Sequence, residues 1–229
     1  MKNTTIAVCG IDTGVGKSVA TGLLAGFLLE KNHSVITQKP VQTGCSGRAE
    51  DLLLHRKLMG IPWNEFDDQG LTCSYCLPYP ASPHLAARLD GKTIEPSVIS
   101  RASDSLAAAH DFLLVEGAGG LLVPLTEKLL LLDYLQQCGY PLILVTSPRL
   151  GSINHTLLAL EAIQSRNIQL LGLVYNLYGD NPVEIVRDSL QVFKQALAAY
   201  GFDECVLLMP DSTESRSVNW QSLLDGLQG

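Results

Sequence analysis

The triplet Gly16-Lys17-Ser18, within "CGIDTGVGKSVATG" (9–22), has the residue types that grip a phosphate chain. In such a loop, backbone N–H groups turn toward an anion. The lysine reaches the β- and γ-phosphates, and the serine hydroxyl meets Mg2+. Gly14 and Gly16 allow the turn, and a helix opening near Lys17 adds the positive end of its dipole. The spacing is off by one. The common loop is G-x-x-x-x-G-K-[ST]; Gly10, which should open it, comes one residue early and leaves Ile11 at that place. A plain glycine-rich turn is the competing interpretation.

A phosphate loop needs carboxylates and further positive charge nearby. Glu116 ends the apolar run 112–115 and precedes "GAGG", and packing explains a glutamate there poorly. Asp51 stands at the start of a helical stretch, either as a second metal partner or as an acid favoured by the helix dipole. Lys39 and Thr43 lie in "QKPVQTG" (38–44), where a short apolar run gives way to a loop. A second lysine in the cleft suits a reaction that builds negative charge. A surface lysine and a turn threonine fit the same letters.

These residues meet only if the right elements carry them. Apolar runs predict strands at 4–10, 34–38, 111–117, 141–147, 168–176 and 204–210, with a glycine-rich turn after 117. Helical patterns predict helices at 18–32, 49–59, 83–89, 96–109, 129–138, 153–167 and 182–199, and a terminal one near 217–227, while 60–82 reads as loop. Runs that are apolar throughout, rather than alternating, are expected of parallel strands covered on both faces. The expected fold is α/β, a doubly wound, mainly parallel sheet with helices on both faces, in a single domain over 1–229. Ligands bind such sheets at the carboxyl ends of the strands, which is where the Gly-Lys-Ser loop, Lys39 and Glu116 fall.

Composition narrows the partners. The 229 residues are 46% hydrophobic and 17% charged, with net charge −7 from 16 basic and 23 acidic side chains. No basic face is available for nucleic acid or an anionic membrane. No run of 18 apolar residues and no secretory leader is visible, so a cytoplasmic location is expected. Among six cysteines, Cys73-Ser-Tyr-Cys76 forms a single CxxC without the second pair of a zinc site, and reduced thiols are expected.

The stretches "GIDTGVGKS", "KPVQTG", "SPHLAA", "VEGAGGLLVPL", "GSINHTLLALEAI" and "GLVYN" resemble those of dethiobiotin synthetase, in order and spacing. The resemblance spans residues 4–176 and continues more weakly to Pro210. It resolves the odd spacing, because that family's loop reads G-x-D-T-x-V-G-K-[ST], which Gly10, Asp12, Thr13, Val15, Gly16, Lys17 and Ser18 fit. It implies a P-loop NTPase fold and ATP-dependent carboxylation and ring closure of 7,8-diaminononanoate with CO2. The intermediates would be a carbamate and a carbamic-phosphoric anhydride.

The resemblance also implies roles. Lys17 and Lys39 would hold the carbamate and the transferring phosphoryl group, and Thr13, Thr43 and Gly119 would position the diamine. Gly14, Val15, Gly16, Lys17, Ser18 and Val19 would wrap the phosphates, with Gly117, Ala118 and Gly119 passing close by. Ser18, Asp51 and Glu116 match magnesium positions; Asn176 matches the residue that reads the adenine edge, with Pro210 on the nucleotide side. "GSINHTLL" looks like a homodimer-interface helix, whose Asn154 would bind the carboxylate tail of substrate held by the other subunit. Asn154 fits a helix-capping role equally well.

Some positions depart from the family pattern. Gly14 replaces an acid, Leu177 replaces a polar residue, and "LLMPDSTES" (207–215) matches the nucleotide-closing loop only loosely. Other enzymes share such a scaffold, among them cobyrinate and CTP synthase domains, which join a glutaminase module. So do partitioning and septum-site ATPase switches, but their loop reads K-G-G-x-G-K-[ST], and this chain has Asp12 where the first lysine stands.

Overall fold

Ile6 and Val8 of the first strand, β1 (Thr4–Gly10), enter one apolar cluster, while Ala7 and Cys9 enter another. A strand buried on both faces must lie inside a sheet covered twice. The structure, a computed structural model, describes residues 3–179, 181–210 and 218–228. Among these, six strands form one parallel sheet in the order β2-β5-β1-β6-β7-β8. The other five are β2 (Val35–Gln38), β5 (Phe112–Gly120), β6 (Leu142–Thr146), β7 (Leu170–Asn176) and β8 (Val206–Met209). The doubly wound α/β fold is therefore present, with β1 between β5 and β6 at the point where strand order reverses.

One face carries α1 (Lys17–Glu30), whose Leu23, Leu24 and Leu28 pack on Ile6 and Val8 together with Trp220 and Leu223. The helix α2 (Glu50–Met59) packs beside α1. It has Glu50 and Asp51 in its first turn and Arg56 and Lys57 in its last, matching the dipole, and Gly60 ends it at φ 70°. The other face carries α5 (Pro96–Ala109), α6 (Leu131–Cys138), α7 (Ser152–Gln164) and α8 (Val183–Ala199) around Ile99, Leu132, Leu160 and Phe193. Two shorter helices complete this stretch of chain, α3 (Glu65–Asp68) and α4 (Pro83–Leu89).

Several boundaries differ from expectation. The segment read as loop contains α3 and β4 (Tyr75–Leu77), and β4 pairs in parallel with β3 (Val41–Thr43) as a second small sheet. Strands of three residues show no measurable period. The "GAGG" stretch is not a turn after residue 117: β5 runs on to Gly120, which pairs with Gly10 after a register shift. A Cβ on Gly120 would lie 3.3 Å from the Ile11 carbonyl, so a side chain there would crowd the strand against the loop. The helix expected from 129 starts at Leu131, because Pro124 and Leu130 first form an antiparallel bridge. Helix α7 stops at Gln164 rather than 167, where Asn167 takes a positive φ of 53°. The terminal helix is Gln221–Leu224 (α9), followed by a 3-10 turn Asp225–Gln228. The start of the predicted element at 217, and residues 211–215 of the expected nucleotide-closing loop, lie outside the described residues.

Candidate active site

The Gly-Lys-Ser loop joins β1 to α1 at the carboxyl edge of the sheet. Gly10 ends the strand because the loop folds back tightly: a Cβ there would lie 2.9 Å from Lys17 Cγ. Gly14 and Gly16 take φ values of 74° and 98°, which side chains resist. Asn176, at the end of β7, clamps the loop by donating from Nδ2 to the Val15 carbonyl at 3.0 Å. Its Oδ1 accepts from the Tyr178 N–H at 3.1 Å. Among the described residues, one amide hydrogen and one lone pair are left without a partner.

A cavity of about 710 Å³ opens beside this loop. Its lining includes Thr13, Gly14, Gly16, Lys17, Ser18, Val19, Lys39, Thr43, Asp51, Glu116, Ala118 and Gly119, so the structure brings together most of the residues singled out from sequence. Val15 is buried under the loop, and Gly117 lends its carbonyl to Lys39. Pro210 follows β8 directly after Met209, the residue paired with Asn176, and is not in the lining. Asn154 lies outside the cavity, exposed on α7. Gly151, not Asn154, caps that helix, so the capping alternative falls.

Charge in the cavity is concentrated and paired. Lys39 is 5% exposed and spends its three hydrogens on Glu116 Oε1 (2.6 Å), Asp51 Oδ2 (2.8 Å) and the Gly117 carbonyl (3.1 Å). Burial pulls its ammonium down, but Glu116 and Asp51 outweigh burial and leave its pKa above the ordinary lysine value. Lys17 donates to the Asp12 carbonyl at 2.7 Å. Burial, and then the Lys39 charge, lower its pKa. Ser18 Oγ lies 2.9 Å from Asp51 Oδ1 and 3.0 Å from Glu116 Oε1, and its single hydrogen serves one of them at a time. Asp51 is thus both a first-turn acid and a member of the site.

Burial would raise the Glu116 carboxyl, yet Lys39 and His55 hold it well below the usual carboxylate range. A carboxylate lowered on folding adds stability above its ordinary value of 4.5 and loses it as pH falls through the folded value. Melting temperature should therefore drop as pH falls below 4.5, and Glu116→Gln should flatten that drop. Equal acid sensitivity in the two proteins would contradict the pairing.

Sequence reasoning missed His55. It sits one helical turn after Asp51 on α2, fully buried, with Nε2 2.7 Å from Glu116 Oε2. The i, i+4 spacing from Asp51 was the available signal. Arg149 was also missed: it pairs with Asp12, which further accepts from the Thr13 N–H at 2.7 Å.

Comparisons with known proteins give the family and the fold. A family model described as an AAA domain matches residues 4–198. The ATP-dependent dethiobiotin synthetase BioD of Chlorobaculum tepidum is 49% identical over 208 residues, covering 91% of this chain and 87% of that protein. The ATP-dependent dethiobiotin synthetase BioD 2 of Haemophilus influenzae is 52% identical over 182 residues, covering 80% of this chain and 95% of that protein. Among solved structures, a plasmid partition protein from Borrelia burgdorferi superposes with a TM-score of 0.58 at 13% identity, covering 100% of this chain and 99% of its own. The cell division ATPase MinD of Pyrococcus furiosus gives 0.53 at 17% identity, covering 98% of this chain and 88% of its own. At such identities the structural likeness is one of fold alone. The sequence likeness is far closer, and by it the chain belongs to the dethiobiotin synthetase family.

Proposed function

We propose that this chain makes dethiobiotin from 7,8-diaminononanoate, CO2 and ATP, releasing ADP and phosphate. Family membership supports the overall reaction. The observation that carries the chemistry is the pairing of two buried lysines, Lys17 and Lys39, on one cavity beside the loop. One substrate amine adds CO2 and becomes a carbamate. A carbamate oxygen attacks the γ-phosphorus, and the bond to ADP breaks. The second amine attacks the carbonyl of the resulting anhydride; phosphate leaves and the ureido ring closes.

The protein supplies no nucleophile in this sequence. It supplies orientation and fixed charge where negative charge gathers. Lys17 and the loop N–H groups face the phosphates. Lys39 faces the carbamate and the phosphoryl group in transfer, and Thr13, Thr43 and Gly119 orient the diamine. Cys9, beneath the site, stays inert because burial pushes its thiol up to about 12.

Mg2+ fits the donor set: three hard oxygens gather here, with Asp51 Oδ1 and Glu116 Oε1 both within hydrogen-bond distance of Ser18 Oγ. Those three residues would hold it, and the ion would supply charge against the phosphates. Among the described residues, Asn176 keeps a free donor and acceptor, which would meet the adenine edge.

The test is ADP release with Mg-ATP and bicarbonate, with and without the diamine, followed by mass detection of product. Diamine-dependent ADP with dethiobiotin is the expected result. ADP release indifferent to the diamine would refute the assignment.

Homodimerisation belongs to the same proposal. Leu122 and Leu158 are 50% and 56% exposed and border, with His155, a depression of about 450 Å³ on the face that carries Asn154. Leu158→Glu should sediment as a monomer. If Asn154 serves the neighbouring subunit, the diamine KM should rise about tenfold or more, the worth of a hydrogen bond to a charged group. A variant that stays dimeric would exclude this face.

A further inference from the structure

Glu116 uses its two oxygens differently. Oε1 faces Lys39 at 2.6 Å and Ser18 at 3.0 Å, on the cavity side. Oε2 turns into the protein and meets His55 Nε2 at 2.7 Å. His55 and Glu116 are 0% and 1% exposed, so solvent does not compete for this contact.

His55 is itself held. Its Nδ1 lies 3.0 Å from Thr37 Oγ1, which also accepts from Arg56 Nη1 at 2.7 Å. A guanidinium only donates, so the Thr37 hydroxyl hydrogen is left for His55 Nδ1, its other partner among the described residues. Nδ1 then accepts, and Nε2 carries the hydrogen that Glu116 receives. Arg56 is fixed in turn by a two-point pair with Asp67, at 2.9 Å from Nε and 2.6 Å from Nη2. A directed chain runs from Arg56 through Thr37 and His55 to Glu116. It starts at a buried ion pair outside the cavity and ends on a carboxylate that lines it.

We propose that His55 is a positioning residue, whose Nε2–H pins Glu116 Oε2 so that Oε1 stays aimed at the cation position beside Ser18. The inference rests on Glu116 as a holder of Mg2+, as set out above. The terminal torsion of a glutamate is soft, so contacts at Oε1 alone would leave the carboxylate free to swing. Hydrogen bonds behind a ligating carboxylate or imidazole orient it, and their loss costs about 10- to 100-fold in metal affinity or activity.

Two variants separate pinning from simple packing. In His55→Gln, the amide nitrogen falls near the place of Nε2 and can still donate to Glu116. In His55→Asn, the shorter amide falls near Nδ1, keeping Thr37 and losing Glu116. Mn2+ is titrated into each protein saturated with a non-hydrolysable ATP analogue, with bound metal read by electron paramagnetic resonance. His55→Asn should lose about tenfold or more in metal affinity, while His55→Gln stays within about threefold of the parent. Activity should follow, with half-saturating Mg2+ raised in His55→Asn and kcat at saturating Mg2+ changed less.

Equal affinities in the two variants, or weaker binding by His55→Gln, would overturn the proposal. If His55→Asn does not fold, His55→Gln carries the test alone: parent-like affinity supports the donor role, and a tenfold loss in folded protein overturns it. Glu116→Gln is the control. If it leaves metal affinity unchanged, the metal-holding role of Glu116 fails and the proposal falls with it. If it weakens binding while both His55 variants do not, only the His55 inference fails.

Discussion

Lys39→Met should lose turnover while keeping ATP. The ammonium is a buried cation on the cavity, and it is charged at neutral pH because Glu116 and Asp51 outweigh its burial. Removing a preorganised charge of this kind costs about 10²–10³ in kcat. The phosphate loop and Lys17 stay in place, so the ATP dissociation constant should move only a few-fold. Methionine keeps the bulk of the stem but leaves Glu116 and Asp51 without their shared cation. Breaking a buried pair from one side costs about 3–5 kcal/mol, so the variant should melt lower than the parent. Kinetics must therefore be read below its transition, with thermal unfolding recorded alongside. Parallel ADP-release and calorimetric titrations decide the matter. Equal loss of turnover and nucleotide affinity would end the division of labour between the two lysines.

Gly16→Ala should be far more damaging than Gly14→Ala, although both residues have positive φ. A side chain held in that region costs about 1–2 kcal/mol. At Gly14 nothing lies within 4 Å of a built Cβ, so that strain is the whole effect. ATP affinity there should fall by no more than about thirtyfold. At Gly16 the added carbon collides with the Asn176 amide. The loop must then move, or the bond from Asn176 to the Val15 carbonyl must break. The combined cost should lower ATP affinity about a hundredfold or more. Calorimetry with each variant gives the ordering. Similar losses at the two glycines would mean that the Asn176 clamp does not hold the loop.

What sequence revealed follows from how local each signal is. The Gly16-Lys17-Ser18 triplet announces itself because one strand, one turn and one helix suffice to shape it. Glu116 stood out because a carboxylate closing an apolar strand has few other uses. The central strands were legible for the same reason: continuous apolar runs need two covered faces. The pairing of β3 with β4 was not legible, since each is three residues long and they lie far apart in the chain. Asn176 was linked to the nucleotide by family resemblance, but its grip on Val15 joins residues 161 positions apart and leaves no local trace. His55 is the sharpest omission. A buried histidine on a helix resembles any packed histidine until the strand carrying Glu116 is laid against it. Lys39 was open between surface and site until its three partners were seen.

The position of β1 has a consequence for how the protein is born. Its neighbours, β5 and β6, begin at Phe112 and Leu142, and the first loop residue, Ile11, donates to the Val145 carbonyl at 3.1 Å. The residues of the Gly-Lys-Ser loop are therefore made well before their supports, which lie about 100 and 130 residues further along the chain. Such distant pairing is slow to form and exposes apolar strands in the meantime. The loop's letters are thus in place long before the sheet that shapes them. ATP can therefore stabilise the finished sheet, but it has no purchase with which to guide the sheet's assembly.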